Sequence, residues 1–297
     1  MAFAVLDMAK QMSNESFLGR AKRGVVSRLT NRLPDIMLGD TSFFDLSGRT
    51  QGEVVGEAAP KSPTPTETPL RHIRTVKLQY TERFSEEFLI FDRERQLKIL
   101  DTLARKWMGS DFLADLDTIV LHGINPLSGT SAVTVQDYVL KNGSSIKVVA
   151  DSDSAEDINT ALKTAIESVY DNNANGIAFS NAAAGKLAGL TTNLGTQVYP
   201  ALGKFGLNVE GFEGLRAAAS KEVGEYNGLQ LVVGDWDALR WGIAAEAPVE
   251  LIRYGDPDGQ GDLKRNNQVA LRYEVIFGFG IANPEALAVV TATSTTA

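Results

Sequence analysis

Between Pro34 and Leu70 the chain is rich in Gly, Ser, Thr and Pro, and four of its ten prolines fall between Pro60 and Pro69. Compact packing is not expected of such a stretch. Connections inside compact domains mostly run to about 4–6 residues, and a far longer one is ordered by a partner or kept for function. Its return is legible. From Arg74 to Tyr80 the residues alternate, with Val76, Leu78 and Tyr80 on one face, which predicts a strand leading back into the body of the protein.

A helix follows that strand. Ser85 with Glu86 and Glu87 offers an N-terminal cap and an acidic first turn. Leu97, Leu100, Ala104, Trp107 and Met108 then recur at helical spacing, and the pattern resumes at Phe112, Leu113, Leu116, Ile119 and Val120. Continuous from about Asp92 to His122, the helix would be roughly 45 Å long at 1.5 Å per residue. Gly109 is the expected kink. Gly123 suits a left-handed cap, and His122 before it reads as a surface cation at the negative end of the helix.

A second unit starts near Asp151. Ser154 caps a helix whose apolar face is Ile158, Leu162, Ile166 and Val169, and Asp157 stands three residues beyond the cap. Gly176 to Ser180 reads as a buried strand, Ala182 to Leu190 as a small helix, and Leu229 to Gly234 as another strand leading into Trp236 to Ala245. Near the end, Val269, Leu271, Tyr273, Val275 and Phe277 alternate with Gln268, Ala270, Arg272, Glu274 and Ile276, the pattern of a long strand with one buried face. Gly278 and Gly280 are expected to break it. Asn283-Pro284 then re-aims the chain into the apolar run Ala286 to Val290.

Composition narrows the chemistry. With no cysteine and two histidines among 297 residues, disulfides, thiolate metal sites and a cysteine nucleophile are excluded. No apolar run is long enough to span a bilayer, and MAFAVLDMAKQMS lacks the pattern of a secretion signal, so a cytoplasmic origin and no membrane partner are expected. Counted from Asp256, the loop GDPDGQGDLKRNN imitates a calcium hand at its first, third and sixth positions. It then fails at Gln260, Lys264 and Asn267, so it reads as a turn. Asp151, Asp153, Glu156 and Asp157 are explained by the positive end of a helix dipole. His72, between Arg71 and Arg74, has no neighbouring acid in sequence and reads as a surface residue. No GxSxG, Walker or HExxH motif occurs, and GFG at Gly278 is no dinucleotide fingerprint. Catalytic residues, cofactors and metals are therefore not expected.

Charge is unevenly spread. Residues 1–33 hold Lys10, Arg20, Lys22, Arg23, Arg28 and Arg32 against Asp7 and Glu15, a net +4, which leaves −12 for the rest of a chain whose total is −8. This basic end behaves as an arm, suited to phosphate or to an acidic protein surface.

In this order the elements resemble a family: the major capsid proteins of tailed bacteriophages, whose fold is shared by encapsulin compartments. GEVVGEAAPKSPT, Gly52 to Thr64, resembles the family's extended loop. RTVKLQYTERFSEEFL, Arg74 to Leu89, resembles its return strand entering the spine helix, and IVLHGINPLSGT, Ile119 to Thr130, the turn closing that helix. NNQVALRYEVIFGFGIANPEALAVV, Asn266 to Val290, resembles its final strands. The resemblance implies an α+β fold with an N-terminal arm (1–33), an extended β-hairpin loop (34–80), a peripheral domain with the long spine helix (81–148 and 250–297) and an axial domain (149–249).

It further implies self-assembly as hexamers and pentamers into an icosahedral virion shell around double-stranded DNA, assembled in the host cytoplasm, with portal and scaffolding or decoration proteins as partners. Arg20, Lys22, Arg23, Arg28, Glu53, Glu57, Lys61 and Arg74 are the residues it points to for contacts between subunits. Some members crosslink a lysine to an asparagine. Lys61 lies in the matching loop, but no partner asparagine or acid is identifiable, so that reaction is not carried over. The alternatives are an encapsulin-like compartment around cargo enzymes and, more distantly, a carboxylate-dependent metal enzyme.

Overall fold

The computed structural model describes residues 24–33, 36–44, 53–55, 57, 70–90, 93–132, 134–135, 137–142, 147–151, 154–203, 209, 211–247 and 249–292. The chain opens with α1 (Val25–Leu29), β1 (Asp40–Phe44) and β2 (Leu70–Ser85). One long helix follows in three parts: α2 (Arg93–Arg105), a π-helical turn (Lys106–Asp111) and α3 (Phe112–His122). Next come α4 (Val139–Asn142), β3 (Lys147–Ala150), α5 (Ala155–Val169), β4 (Gly176–Ser180) and α6 (Asn181–Ala188). The strands β5 (Gly211–Phe212), β6 (Leu215–Ser220), β7 (Leu229–Gly234), β8 (Leu239–Glu246), β9 (Glu250–Ile252), β10 (Gln268–Ile281) and β11 (Leu287–Ala292) complete it.

β2 and β10 are the spine of the first sheet. They pair antiparallel without a register shift from Gln268↔Ser85 to Phe279↔Arg74, and β1, β8 and β9 attach around them. Because alternate residues share a face, Val76, Leu78, Tyr80 and Phe84 lie on the side of Val269, Leu271, Tyr273, Val275 and Phe277. That face packs on the long helix. Tyr80, Trp107 and Tyr273 stack with ring centroids 6.3–6.5 Å apart, and Phe112 meets Phe277 edge-on at 5.6 Å. The Trp107 indole and the Lys106 ammonium both donate to Glu82, at 3.3 and 2.7 Å.

In the second sheet the order is β3-β11-β7-β4-β6-β5. β4 and β7 are buried along their whole length, because both faces are covered. Ile177, Phe179, Leu231, Val233, Ala288 and Val290 face α5 and α6. Their in-between neighbours Ala178, Val232, Leu287 and Val289 join the core that contains α3 and α1. Helix α3 is thus wedged between the two sheets, and every residue in it except Ala114 and Asp115 is buried. Burying a large aliphatic side chain is worth about 1.5–3 kcal/mol, so Leu113, Leu116, Ile119, Val120 and Leu121 supply much of what joins the sheets.

Several expectations hold at residue level. Ser154 caps α5 through the Asp157 amide, and Gly123 ends α3 with φ 67°. The long helix continues through Gly109 with a π-helical turn in place of a sharp break. Other expectations are corrected. Ser85 ends β2 and leads into one 3-10 turn, Glu86–Ile90, and the α-helix starts only at Arg93. His122 is no surface cation. It is buried, its Nε2 is 3.0 Å from the Glu222 carbonyl, and desolvation lowers its pKa.

The expected segment boundaries also shift. Strand β8 pairs with β10 in the first sheet and β11 pairs with β7 and β3 in the second, the reverse of a division at 249/250. Residues 75–80, grouped with the extended loop, belong to the β2–β10 ladder. Val25, Val26 and Leu29, grouped with the arm, are core.

Gly278 does not break β10. It stands beside Gly242 of β8 in the register, and both leave room for backbone. A Cβ on Gly242 would lie 2.7 Å from Ile36 Cδ1 and 3.0 Å from the Leu33 carbonyl, and one on Gly278 would lie 2.8 Å from Ile73 Cγ2. The chain leaving α1 therefore crosses the sheet where the side chains have been removed, held by the Leu33 amide on the Trp241 carbonyl at 2.8 Å. Gly242→Val is expected to destabilise the subunit by about 1–3 kcal/mol through overpacking. Thermal melting should show this as a lowered midpoint, with Gly255→Val, whose Cβ position is open, as a control for backbone strain alone.

Candidate assembly surface

The excursion leaves and re-enters the body at one place. β1 and β2 pair from Asp40↔Arg74 to Phe44↔Leu70, so residues 45–69 are carried on the end of a hairpin. Its base is tied down by the Arg71 Nε, which donates to the Ala282 carbonyl at 3.1 Å. Beside the base opens a cleft of about 200 Å³ lined in part by Leu70, Arg71, His72, Arg74, Asp137 and Phe279. His72 and Arg74 are exposed there, as a surface reading of His72 requires. Glu53, Val54, Val55 and Glu57 are exposed too, and Val54 fully so at 101%.

The eight residues expected at subunit contacts do not form one cluster. Arg74 is at the hairpin base, and Glu53 and Glu57 are on the excursion. Arg28 is in α1, where its guanidinium donates to the Val209 carbonyl at 3.2 Å within the same chain. Arg20, Lys22, Arg23 and Lys61 lie outside the described residues.

Sequence reasoning missed the residue that anchors the arm. Asp117 is fully buried in α3 and accepts the amides of Val25 at 2.6 Å and Val26 at 2.9 Å, the first donors of α1. The Ser220 hydroxyl, at the end of β6, adds a third bond of 3.4 Å. One carboxylate thus joins the arm, the spine helix and the second sheet. Complete burial pushes its pKa up from 3.8 to about 7, against the opposing pull of the two amides. An aspartate on the buried stripe of a helix is the only sequence signal of it.

A second missed residue is Arg83. Its guanidinium enters the acidic loop, bonding both oxygens of Asp258, Asp256 at 3.1 Å and the Gly261 carbonyl at 2.9 Å. The loop that imitates a calcium hand is organised around an arginine from β2. Positive φ at Gly255, Gly259 and Gly261 gives the turn its shape. Lys264 pairs with Glu86 at 2.6 Å and Arg272 donates to the Pro257 carbonyl at 2.7 Å, so the loop is fixed to the sheet.

The comparisons identify the architecture. The model of the phage capsid family matches residues 21–292, so the chain belongs to that family. A solved structure from Mycobacterium phage Ogopogo is similar at 36% identity with a TM-score of 0.74, over 91% of this chain and 92% of that one. One from Gordonia phage Cozz is similar at 24% identity and TM-score 0.72, over 92% and 87% of the two chains. The capsid of an empty GTA particle shares the fold at 14% identity and TM-score 0.59, over 93% and 91%. No curated protein matches the chain. The protein is a major capsid protein, a structural component of the virion shell that associates with copies of itself.

Two measurements check the anchors. Asp117→Ala leaves the Val25 and Val26 amides buried without acceptors and is expected to cost about 2–5 kcal/mol. With a folded-state pKa near 7 against 3.8, the folded chain retains a proton that the unfolded chain has released between these values. The contribution of this group to stability therefore falls as pH rises through that window and levels off above it. Asp117→Asn should show a smaller decline of melting temperature across the window than the unaltered chain. For the loop, Asp258→Asn is expected to lower the melting temperature and millimolar calcium to leave it unchanged. A calcium-dependent rise would reverse the assignment of the guanidinium as the cation there.

Proposed function

We propose that this capsid protein assembles as hexamers and pentamers that close into an icosahedral shell around double-stranded DNA. The observation that carries the reading is the hairpin: a long excursion on a firmly paired base, with Val54 fully exposed on the single subunit. Such a segment gains order by packing on a neighbour. In this reading the first sheet and the α2–α3 spine form the peripheral part, and the second sheet with α5 and α6 forms the axial part around the capsomer axis. The basic arm and the excursion cross onto neighbouring subunits. Arg20, Lys22, Arg23, Arg28, Glu53, Glu57, Lys61 and Arg74 contribute to those contacts.

Assembly takes place in the host cytoplasm with a portal and with scaffolding or decoration proteins as partners. DNA is enclosed without sequence-specific binding. A net charge of −8 suits a container whose wall must let DNA slide. Sedimentation and negative-stain imaging of the expressed chain, with portal or scaffold supplied where needed, should yield capsomers and closed shells. A strictly monomeric species under all these conditions would exclude the reading. Removing residues 52–69 should leave the subunit folded and reduce shell yield.

A further inference from the structure

Strand β2 is paired on one side along almost its whole length but on the other side only at its start. The Glu86 amide donates to the Asn267 carbonyl at 2.8 Å and the Thr75 amide to the Gly39 carbonyl at 3.2 Å. In an antiparallel ladder bonding alternates residue by residue, so even-numbered residues of β2 turn their backbone to β10 and odd-numbered ones turn theirs away. β1 ends opposite Arg74. The outward N–H and C=O groups of Lys77, Gln79, Thr81 and Arg83 thus have no backbone partner among the described residues.

The usual protections of a free edge are missing here. β2 contains no proline and its ladder with β10 has no bulge. The charges on this edge are engaged within the subunit, Lys77 by Glu274 at 2.7 Å and Arg83 by the acidic loop. What remains is a straight, accessible edge, the form that accepts an added strand.

Resting on the assembly reading above, we propose that the β2 edge from Lys77 to Arg83 receives the segment Glu53–Glu57 of a second copy as an additional strand. The segment reads Glu-Val-Val-Gly-Glu, and its alternation matches the edge. With Val55 opposite Gln79, Glu53 and Glu57 share the outer face with Lys77 and Thr81. In either strand direction one glutamate comes opposite Lys77. Val54 then falls on the inner face beside Leu78 or Tyr80, both only partly covered in the single subunit, and its own full exposure ends. Charge and apolar pattern thus agree in one register.

Hydrogen exchange and a proline substitution test this directly. In shells of the unaltered chain, the outward amides of Lys77, Gln79, Thr81 and Arg83 should exchange far more slowly than in the free subunit, while the even-numbered amides are protected in both. Gln79→Pro removes only an outward donor. It should fold with a near-native melting temperature and lower shell yield about tenfold or more, since the lost bond and the steric block recur at every subunit. Lys77→Glu should also impair assembly, and Glu53→Lys with Glu57→Lys should restore it.

Unchanged edge exchange on assembly, or normal shells from Gln79→Pro, overturns the proposal and leaves the assembly reading intact. Edge protection that persists when Val54→Asp and the two glutamate reversals are combined assigns the strand to another segment and overturns it as well. Should Gln79→Pro not fold, the exchange measurement decides alone. A chain that never assembles defeats both readings together.

Discussion

The structure depends on the burial of α3 between two sheets, and on the one carboxylate inside that interface. Apolar contacts hold the helix there but have no direction, so they do not set where the arm begins. Asp117 supplies the direction by accepting two consecutive amides of α1. A buried acid with few partners would cost stability, and three bonds from three elements offset that cost. Moving the arm exit by one residue would strand at least one of those amides.

From this joint the path of the chain follows. Leaving α1, it meets β8 at Trp241 and crosses the sheet where Gly242 and Gly278 leave room, then becomes β1 along the start of β2. The polar side of the same sheet is settled locally: Arg83 satisfies the acidic loop, and Lys77 satisfies Glu274. The subunit therefore completes its core and most of its surface charge pairs by itself. It leaves open a sheet edge and a hairpin that its own core does not use.

Period and capping made most of the fold legible in sequence. Gln268 to Phe277 alternates so regularly that the long strand could be read directly, and Ser154 announced its helix by a cap that the structure contains. What escaped was set by contacts distant in sequence. Nothing near Asp117 or His122 indicates that these positions end up between two sheets, bonded to Val25 and to Glu222. The glycines of β10 were read as breakers because the chain that needs their space lies more than two hundred residues earlier. Arg83 was hidden in the same way: the acidic loop showed anionic ligands, and its cation came from another strand. As for the assembly surface, Glu53, Glu57 and Arg74 could be selected from the family pattern. The open edge of β2 could not, since an unpaired edge is a property of sheet order and not of the strand itself.

Keeping the subunit's own needs apart from its contacts also suits closure of a shell. A hydrogen bond between subunits replaces one to water and contributes only about 0.5–1.5 kcal/mol, and exposed ion pairs contribute less. Contacts of this size are reversible one at a time, so a misplaced subunit can leave. Once several act together on one subunit, release requires breaking all of them at once, and the effective concentration of each partner group is set by the others. A fully buried apolar interface would bind the first encounter too tightly to correct it. An edge strand, a hairpin and an arm that act at separate places supply weak individual contacts and a strong sum, provided that the core beneath them is rigid enough to hold their geometry. In this chain α3, fixed between the sheets, provides that rigidity.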